Sequence, residues 1–284
     1  MITAKLNRLF RAKTPTGWLA TVLIYGLALT WLYPFAWMVM ASLKPTAEVY
    51  STALFEGHLS FDNYIFLFGS AERLHRPFLG ALGISFFVTL TVTASVIITS
   101  AFIGYALARI KFPLRDKFQD FLLLQMVVPT MMFTLPMFVL IKQLGLINSY
   151  GALILPSIMS GWGIYMMSQS FKGMPEDYID AAKLDRAKLH QIVFKIIAPL
   201  NKSIIAIVAL FTFTASWDNF MWPLIVISDI DKMPLSVLLA TFSKQYGVYA
   251  GPVMAGAVLQ TLPLVILFIL FRRSFLTGMS LTLK

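Results

Sequence analysis

The sequence predicts an all-α membrane protein of six transmembrane helices with one helix-turn-helix loop, and two observations carry that prediction. Of 284 residues, 58% are hydrophobic and only 13% are charged, too few ionic groups to keep a globular surface in water. The charges are also clustered, leaving uncharged windows at 14–43, 77–108, 121–141, 143–171, 203–217 and 245–271, the fifth resuming after Asp218 and running to Ser228. A bilayer core about 30 Å thick takes roughly 20 helical residues to cross, so each window is read as one span. The spans are placed at approximately 17–42, 78–108, 119–141, 150–171, 203–228 and 250–271, with a loop at 172–202, in a single membrane domain over residues 1–284. The ten-residue alternation that an outer-membrane barrel needs is absent.

Span one follows Lys5, Arg8, Arg11 and Lys13, a layout shared with cleaved signal peptides. Its apolar run reaches Met40, about twice a signal core, and holds Trp31, Pro34 and Trp37 rather than a small-residue cleavage site, so it is read as a retained span. Span three carries Pro129 and Pro136 among Met126, Met131, Met132 and Met137. Prolines free backbone carbonyls that are tolerable only against protein or a water-filled cavity, which places this span in the core, where methionine packs adaptably. Span five contains Asp218, about 24 Å along the helix from Lys202 and so toward the outer end. An acid at membrane depth faces a partner or water rather than lipid. It either lines a path or pairs with a neighbouring helix.

Charge placement sets the orientation. With the amino terminus in the cytoplasm, all but six of the 23 Lys and Arg fall on the cytoplasmic side, the exceptions being Lys44, Arg73, Arg76, Lys142, Lys232 and Lys244. Both termini are therefore cytoplasmic, and the net charge of +10 reflects that asymmetry rather than a nucleic-acid surface. There is no cysteine, which excludes disulfides and thiolate chemistry. His58, His75 and His190 have no ligand spacing, so no metal is assigned. No G-x-x-x-x-G-K-[ST] occurs; Asn201-Lys202-Ser203 lacks the glycines.

The one long inner loop, Phe171 to Lys202, is the most polar stretch of the chain. Pro175, Glu176 and Asp177 suit the first turn of a helix. Tyr178, Ala181, Ala182 and Asp185 fall near one helical face. A second helix from about Lys188 carries Leu189, Ile192, Val193, Ile196 and Ile197 before Pro199. On pattern alone this is either an amphipathic pair lying on the membrane or a docking element.

The stretch resembles the coupling loop of ABC-importer permeases, E-A-A-x-x-D-G-A followed by an apolar spacer and L-P. Asp180, Ala181, Ala182, Asp185 and Ala187 take the corresponding places, with Pro199 closing the segment and Ala198 where leucine is usual. Asp180 stands for the usual glutamate and Arg186 for the usual glycine. Glycine adopts positive φ at little cost and arginine does not, so the turn here either uses ordinary φ or is slightly strained. The resemblance extends along the chain. It includes Tyr33, Pro34, Ser42, Leu43 and Lys44 at the end of span one, Leu59 to Phe68, Tyr105 to Pro113, Leu144 to Pro156, and Ser216 to Pro223, where W-N-[DE]-F is usual and acid and amide are exchanged. It is to the carbohydrate branch, MalG-like permeases of maltose-type importers.

That resemblance implies a non-enzymatic subunit of a bacterial inner membrane, surrounded by lipid. It implies a second homologous permease, two ATPase subunits that hold ATP and Mg, and an external solute-binding protein, with no cofactor on this chain. It makes Asp180, Ala181, Ala182, Asp185, Arg186 and Ala187 the ATPase-coupling residues, with Asp180 pairing to basic groups of the ATPase. Trp217, Asp218 and Asn219 become candidates for the solute path, offering sugars hydrogen bonds and a stacking face. Lys232, Tyr246 and Tyr249, in the loop 229–250, become candidate binding-protein contacts, unless that loop is merely solvated. The end G-M-S-L-T-L-K is similar to the family's glycine-bearing tail. Two other readings are weighed. One is the same architecture serving a glycerol phosphate or amino-acid-like solute, against which no Lys or Arg lies inside any span. The other is a self-sufficient secondary transporter, against which the spans lack an array of buried acids.

Overall fold

The computed structural model describes residues 15–51, 58–71, 77–243 and 249–281, and every regular element among them is a helix. The chain forms two compact units, Met1–Ser70 with Thr241–Leu259, and Ala71–Ala240 with Gln260–Lys284.

In the first unit α1 (Pro15–Ser42) is apolar on all sides and presents those side chains outward, a surface suited to lipid. Its end is tied down by the short helix α2 (Asp62–Ile65). Buried Asn63 donates from Nδ2 to the carbonyls of Ser42 and Lys44, both at 2.8 Å, and the Tyr64 hydroxyl lies 2.8 Å from Ser42 Oγ. A helix end leaves carbonyls without intrahelical partners, and one amide here satisfies two. A Cβ on Gly251 would fall 2.4 Å from Asn63 Oδ1, so only glycine admits the amide at this point.

The second unit is built around α3 (Phe78–Arg109). Its buried face runs through Phe78, Ala81, Ser85, Val88, Val92, Val96, Ser100 and Gly104, steps of three and four. The helices that follow are α4 (Arg115–Val127), α5 (Thr134–Gln143), α6 (Tyr150–Ile154) and α7 (Gly161–Lys172). Small residues let α3 and α7 approach closely. A Cβ on Gly104 would sit 3.1 Å from Met167 Cβ and Ser168 N, and one on Gly163 would sit 2.8 Å from Ser100 Oγ. The loop expected over 172–202 contains α8 (Asp177–Leu184), α9 (Leu189–Gln191), a wide π-turn Ile192–Ile197 and α10 (Ala198–Leu200). Next come α11 (Lys202–Trp217), α12 (Met221–Val226), α13 (Leu235–Ser243) and α14 (Ala250–Leu281).

Three described helices are long and apolar enough to cross a bilayer, α1, α3 and α14, and up to five crossings result if each of two sharply bent pairs is one. The spans expected as continuous at 119–141, 150–171 and 203–228 are each interrupted. α4 and the segment from Thr130 meet at 96°. The break lies at Val128, forced into extended backbone (ψ 125°) by the proline that follows it. The fourth is divided by the turn Leu155–Ser157, which holds Pro156, and α7 restarts with Ser160 Oγ accepting from Gly163 N at 3.1 Å. The fifth breaks over Asp218 and Asn219, between α11 and α12. The segment Leu189–Leu200 turns by 92° into α11, which lays it across the end of that helix.

Candidate functional site

The loop after α7 is held by polar side chains from three helices. Arg109, the last residue of α3, donates to the carbonyl of Phe171 at 2.7 Å and to that of Met174, and pairs with Glu176 Oε1 at 3.3 Å. Its side chain is only 10% exposed. Asn201, just before α11, accepts from Ser170 Oγ at 2.8 Å and donates to Ile197 O at 2.9 Å and to Met174 Sδ. Lys172 Nζ reaches Gln119 Oε1 of α4 at 2.9 Å. The bonds from Arg109 and Lys172 are charge-assisted, the stronger sort, and with the neutral bonds of Asn201 they join the start of the loop to α3, α4, α7 and the base of α11.

The helix α8 then divides its residues between two directions. Ile179 and Ala182 are buried in the core of the second unit, whereas Tyr178, Ala181 and Asp185 are exposed and Leu184 is 85% exposed. The expectation that Ala181 and Ala182 share a docking face is corrected here. Successive helical residues diverge by about 100°, and Ala182 is the one that packs inward. Asp180 pairs with Lys183 Nζ at 2.9 Å, both side chains exposed, and this hydrogen bond and charge raise the Lys183 pKa further above 10.5. The turn closes with Arg186 N donating to Lys183 O at 2.9 Å and Ala187 N to Ala182 O at 2.9 Å. That is a Schellman motif, in which the residue after the helix cap takes left-handed backbone. Arg186 occupies that position with φ 54°, so of the two alternatives for this turn the strained one is present. Ala187 packs against the cluster that holds Ala182, the apolar contact that accompanies the motif. A second helical turn begins with Lys188 N donating to Gln191 Oε1 at 2.8 Å.

The other polar concentration lies where the three spans are interrupted. A cavity of about 280 Å³, open on one side, is lined by Thr130 and Thr134 from the third break, Ser157 from the fourth and Asn219 from the fifth. The rings of Phe133 and Trp222 and three methionines, Met131, Met137 and Met221, supply its apolar faces. A second pocket of about 20 Å³ shares Ser157, Asn219 and Trp222 with it, room for a single water. The Trp222 indole N–H is already taken by Ala152 O at 2.8 Å.

Of the three residues proposed for a solute path, Asn219 alone lines the larger cavity. Trp217 is buried, donates to Gln260 O at 2.9 Å and packs against the rings of Phe86 and Phe213. Asp218 is exposed on the surface of the described chain. Of the outer-loop candidates, Lys232 pairs with Asp229 at 3.2 Å, and the backbone N–H of Asp231 with that lysine holds the Asp229 carboxyl below its usual range. Tyr249 stacks on Phe66 with ring centroids 5.5 Å apart and meets Phe242 edge-on; Tyr246 lies outside the described residues. Sequence reasoning passed over Arg109, Asn201, Thr130, Thr134 and Ser157. Arg109 was legible only as a basic residue at a span end, and Pro156 beside Ser157 was the available sign of a break. No group of three or more His, Cys, Asp or Glu that would hold a metal occurs among the described residues.

The family model for the binding-protein-dependent transport system inner membrane component matches residues 97–277. Over 268 residues the chain is 32% identical to the arabinooligosaccharides transport system permease protein AraQ of Halalkalibacterium halodurans, covering 93% of this chain and 95% of that one. It is 31% identical to the lactose transport system permease protein LacG of Rhizobium radiobacter, covering 89% and 91%, and 28% identical to the trehalose transport system permease protein SugB of Mycobacterium tuberculosis, covering 95% and 97%. The fold is similar to that in the crystal structure of a bacterial ABC transporter involved in the import of the acidic polysaccharide alginate, with TM-score 0.77, 22% identity, and 93% and 98% of the two chains covered.

Proposed function

Because this chain belongs to the family of binding-protein-dependent transport system inner membrane components, we propose that it forms half of the translocation pathway of an ABC importer for a sugar or oligosaccharide. It is a multi-pass, non-catalytic membrane subunit, and hydrolysis of ATP belongs to a separate ATPase subunit. Its partners in this reading are a second homologous permease, two ATPase subunits carrying ATP and Mg, and an external binding protein. Both termini and the loop 172–202 face the cytoplasm, the side to which the positive-inside tendency assigns most of the Lys and Arg.

The observation that carries the reading is the build of the loop. Its inward face is fastened to the ends of α3 and α7, while Tyr178, Ala181 and Asp185 are left outward with Asp180 beside them. A small residue in the middle of that face allows a partner's backbone close, and the exposed Asp180–Lys183 pair is weak enough to be exchanged for a partner's cation. ATPase movement transmitted there reaches the spans through Arg109 and Asn201. Lys232 and Tyr249 remain candidate binding-protein contacts under the same reading, and Asp218 a membrane-depth group presented to the second permease or to the path. The test is purification of the assembled transporter and measurement of ATP hydrolysis with binding protein and a panel of sugars. Stimulation by a sugar is expected; a chain that purifies without an ATPase, or an assembly stimulated by no sugar, contradicts the reading.

A further inference from the structure

We propose that the meeting point of the three helix breaks is a subsite for one neutral sugar ring, held by Thr134, Ser157 and Asn219 and stacked against Phe133 or Trp222; this rests on the permease reading above and names the ligand class of its pathway. At membrane depth, backbone that leaves the helical hydrogen-bond pattern is tolerated only when it is buried in protein or lines a water-filled cavity. Here three separate interruptions, at Val128–Phe133, Leu155–Ser160 and Asp218–Phe220, converge on one open cavity of about 280 Å³. A single break explained by a proline would carry no such meaning. Interrupted helices whose ends surround one hollow are how membrane transporters expose polar backbone to a solute.

The lining chemistry selects the solute. The cavity contains three hydroxyls and one amide, and none of these four side chains hydrogen-bonds within the described residues. They are donors and acceptors without internal work, in contrast to Trp222, whose N–H is satisfied by Ala152 O and which therefore offers only its ring face. No Lys, Arg, Asp or Glu lines the cavity. An anionic sugar would meet no cation there and would lose its hydration without compensation. A neutral pyranose matches on both counts, with hydroxyls around the rim and an apolar C–H face for an aromatic ring. The volume takes one ring rather than an oligosaccharide, so further residues of a longer solute extend out of the open side. Asp218 faces elsewhere, which keeps the only acid of this span out of the subsite.

Because the chain has no cysteine, single cysteines at Ser157 and Asn219 report on the cavity directly in the assembled transporter, provided the partner subunits are also cysteine-free. Their alkylation by a small water-soluble maleimide is followed with neutral gluco-, galacto- and arabino-oligosaccharides and with acidic galacturonate oligosaccharides. We expect both positions to react. We also expect the neutral sugar that stimulates ATP hydrolysis to slow the reaction at least fivefold, and Asn219→Leu to raise the sugar concentration for half-maximal transport about tenfold, the size of one lost hydrogen bond. Cysteines that never react, or react without protection while that sugar still stimulates hydrolysis, overturn the subsite and leave the permease reading standing. Protection by galacturonate alone overturns the neutral class. If no sugar stimulates hydrolysis, the subsite falls together with the reading on which it rests.

Discussion

The loop end of the second unit and its cavity are both rich in polar side chains, yet those side chains are used in opposite ways. Arg109, Ser170, Lys172 and Asn201 are hydrogen-bonded to the carbonyls of Phe171, Met174 and Ile197 and to side chains of neighbouring helices. The side chains of Thr130, Thr134, Ser157 and Asn219 line the cavity and make no hydrogen bond among the described residues. A polar group in a membrane protein must be satisfied by protein, water or ligand. Satisfaction within the chain marks a structural joint, and its absence at an open cavity marks contact with something that comes and goes. The two regions should therefore respond differently to the loss of a polar side chain.

The largest effect is expected at the joint. Arg109→Ala removes the donor shared by Phe171 O, Met174 O and Glu176 Oε1, and Phe171 O keeps only backbone bonds such as that from Met174 N. With charged hydrogen bonds at about 1.5–3 kcal/mol each, we expect a loss of about 3 kcal/mol or more in the docking of the loop. Limited proteolysis between Gly173 and Lys188 should quicken, and sugar-stimulated ATP hydrolysis should fall by an order of magnitude. Normal protease resistance and hydrolysis would show that the loop is not held from α3.

Next in size is the outward face of α8. Ala181→Leu and Asp180→Lys change exposed positions, so the chain should insert and fold as before while ATPase co-purification drops at least tenfold, through overpacking and like charge at the contact. Ala182→Leu is the internal comparison. Ala182 is 5% exposed and belongs to the core, so that substitution is expected to cost about 1–3 kcal/mol of stability, read as a lower melting temperature of the detergent-solubilised chain.

How far these regions were legible in the sequence follows from the same contrast. The uncharged windows and the period of three to four along α3 lie in local order, and a helix reads them out residue by residue. The helix and turn over Asp177–Asp185 were equally visible, because the acid, the alanine pair and the capping acid lie within about two helical turns. Convergence of the breaks was not, since Thr130, Pro156 and Asn219 are separated by long stretches of chain and only packing brings them to one cavity. Nor was the inward turn of Ala182, which depends on which side of α8 meets the core. Asn63 had no local signal at all, its two carbonyl partners lying 19 and 21 residues back.

At the cavity the expected change is in transport rather than stability. Thr134→Val keeps the shape and removes a hydroxyl that bonds to nothing within the described residues, so the melting temperature should stay within a degree or two, in contrast to Arg109→Ala. Transport of a neutral sugar should weaken several-fold. A clear loss of stability would mean that the hydroxyl is satisfied inside the protein and that the two regions do not differ.

The smallest effect is expected at the turn that follows α8. Arg186 holds φ 54° as the residue that follows the cap of α8, a left-handed conformation that costs an L-residue with a Cβ about 1–2 kcal/mol and glycine nothing. Glycine also gives the unfolded chain more freedom, which opposes the gain by about 0.5–1 kcal/mol. Arg186→Gly should therefore stabilise the chain by no more than about 1.5 kcal/mol, seen as a rise of a few degrees at most in the unfolding midpoint. The Schellman bonds from Arg186 N and Ala187 N are backbone bonds and should survive, so ATPase co-purification should be unchanged. Arg186→Val separates strain from charge: a β-branched residue is poorer still in left-handed backbone, so it should destabilise the chain where glycine stabilises it. If both substitutions shift the midpoint equally, the turn is not held in the left-handed region, and the strain assigned to this position is absent.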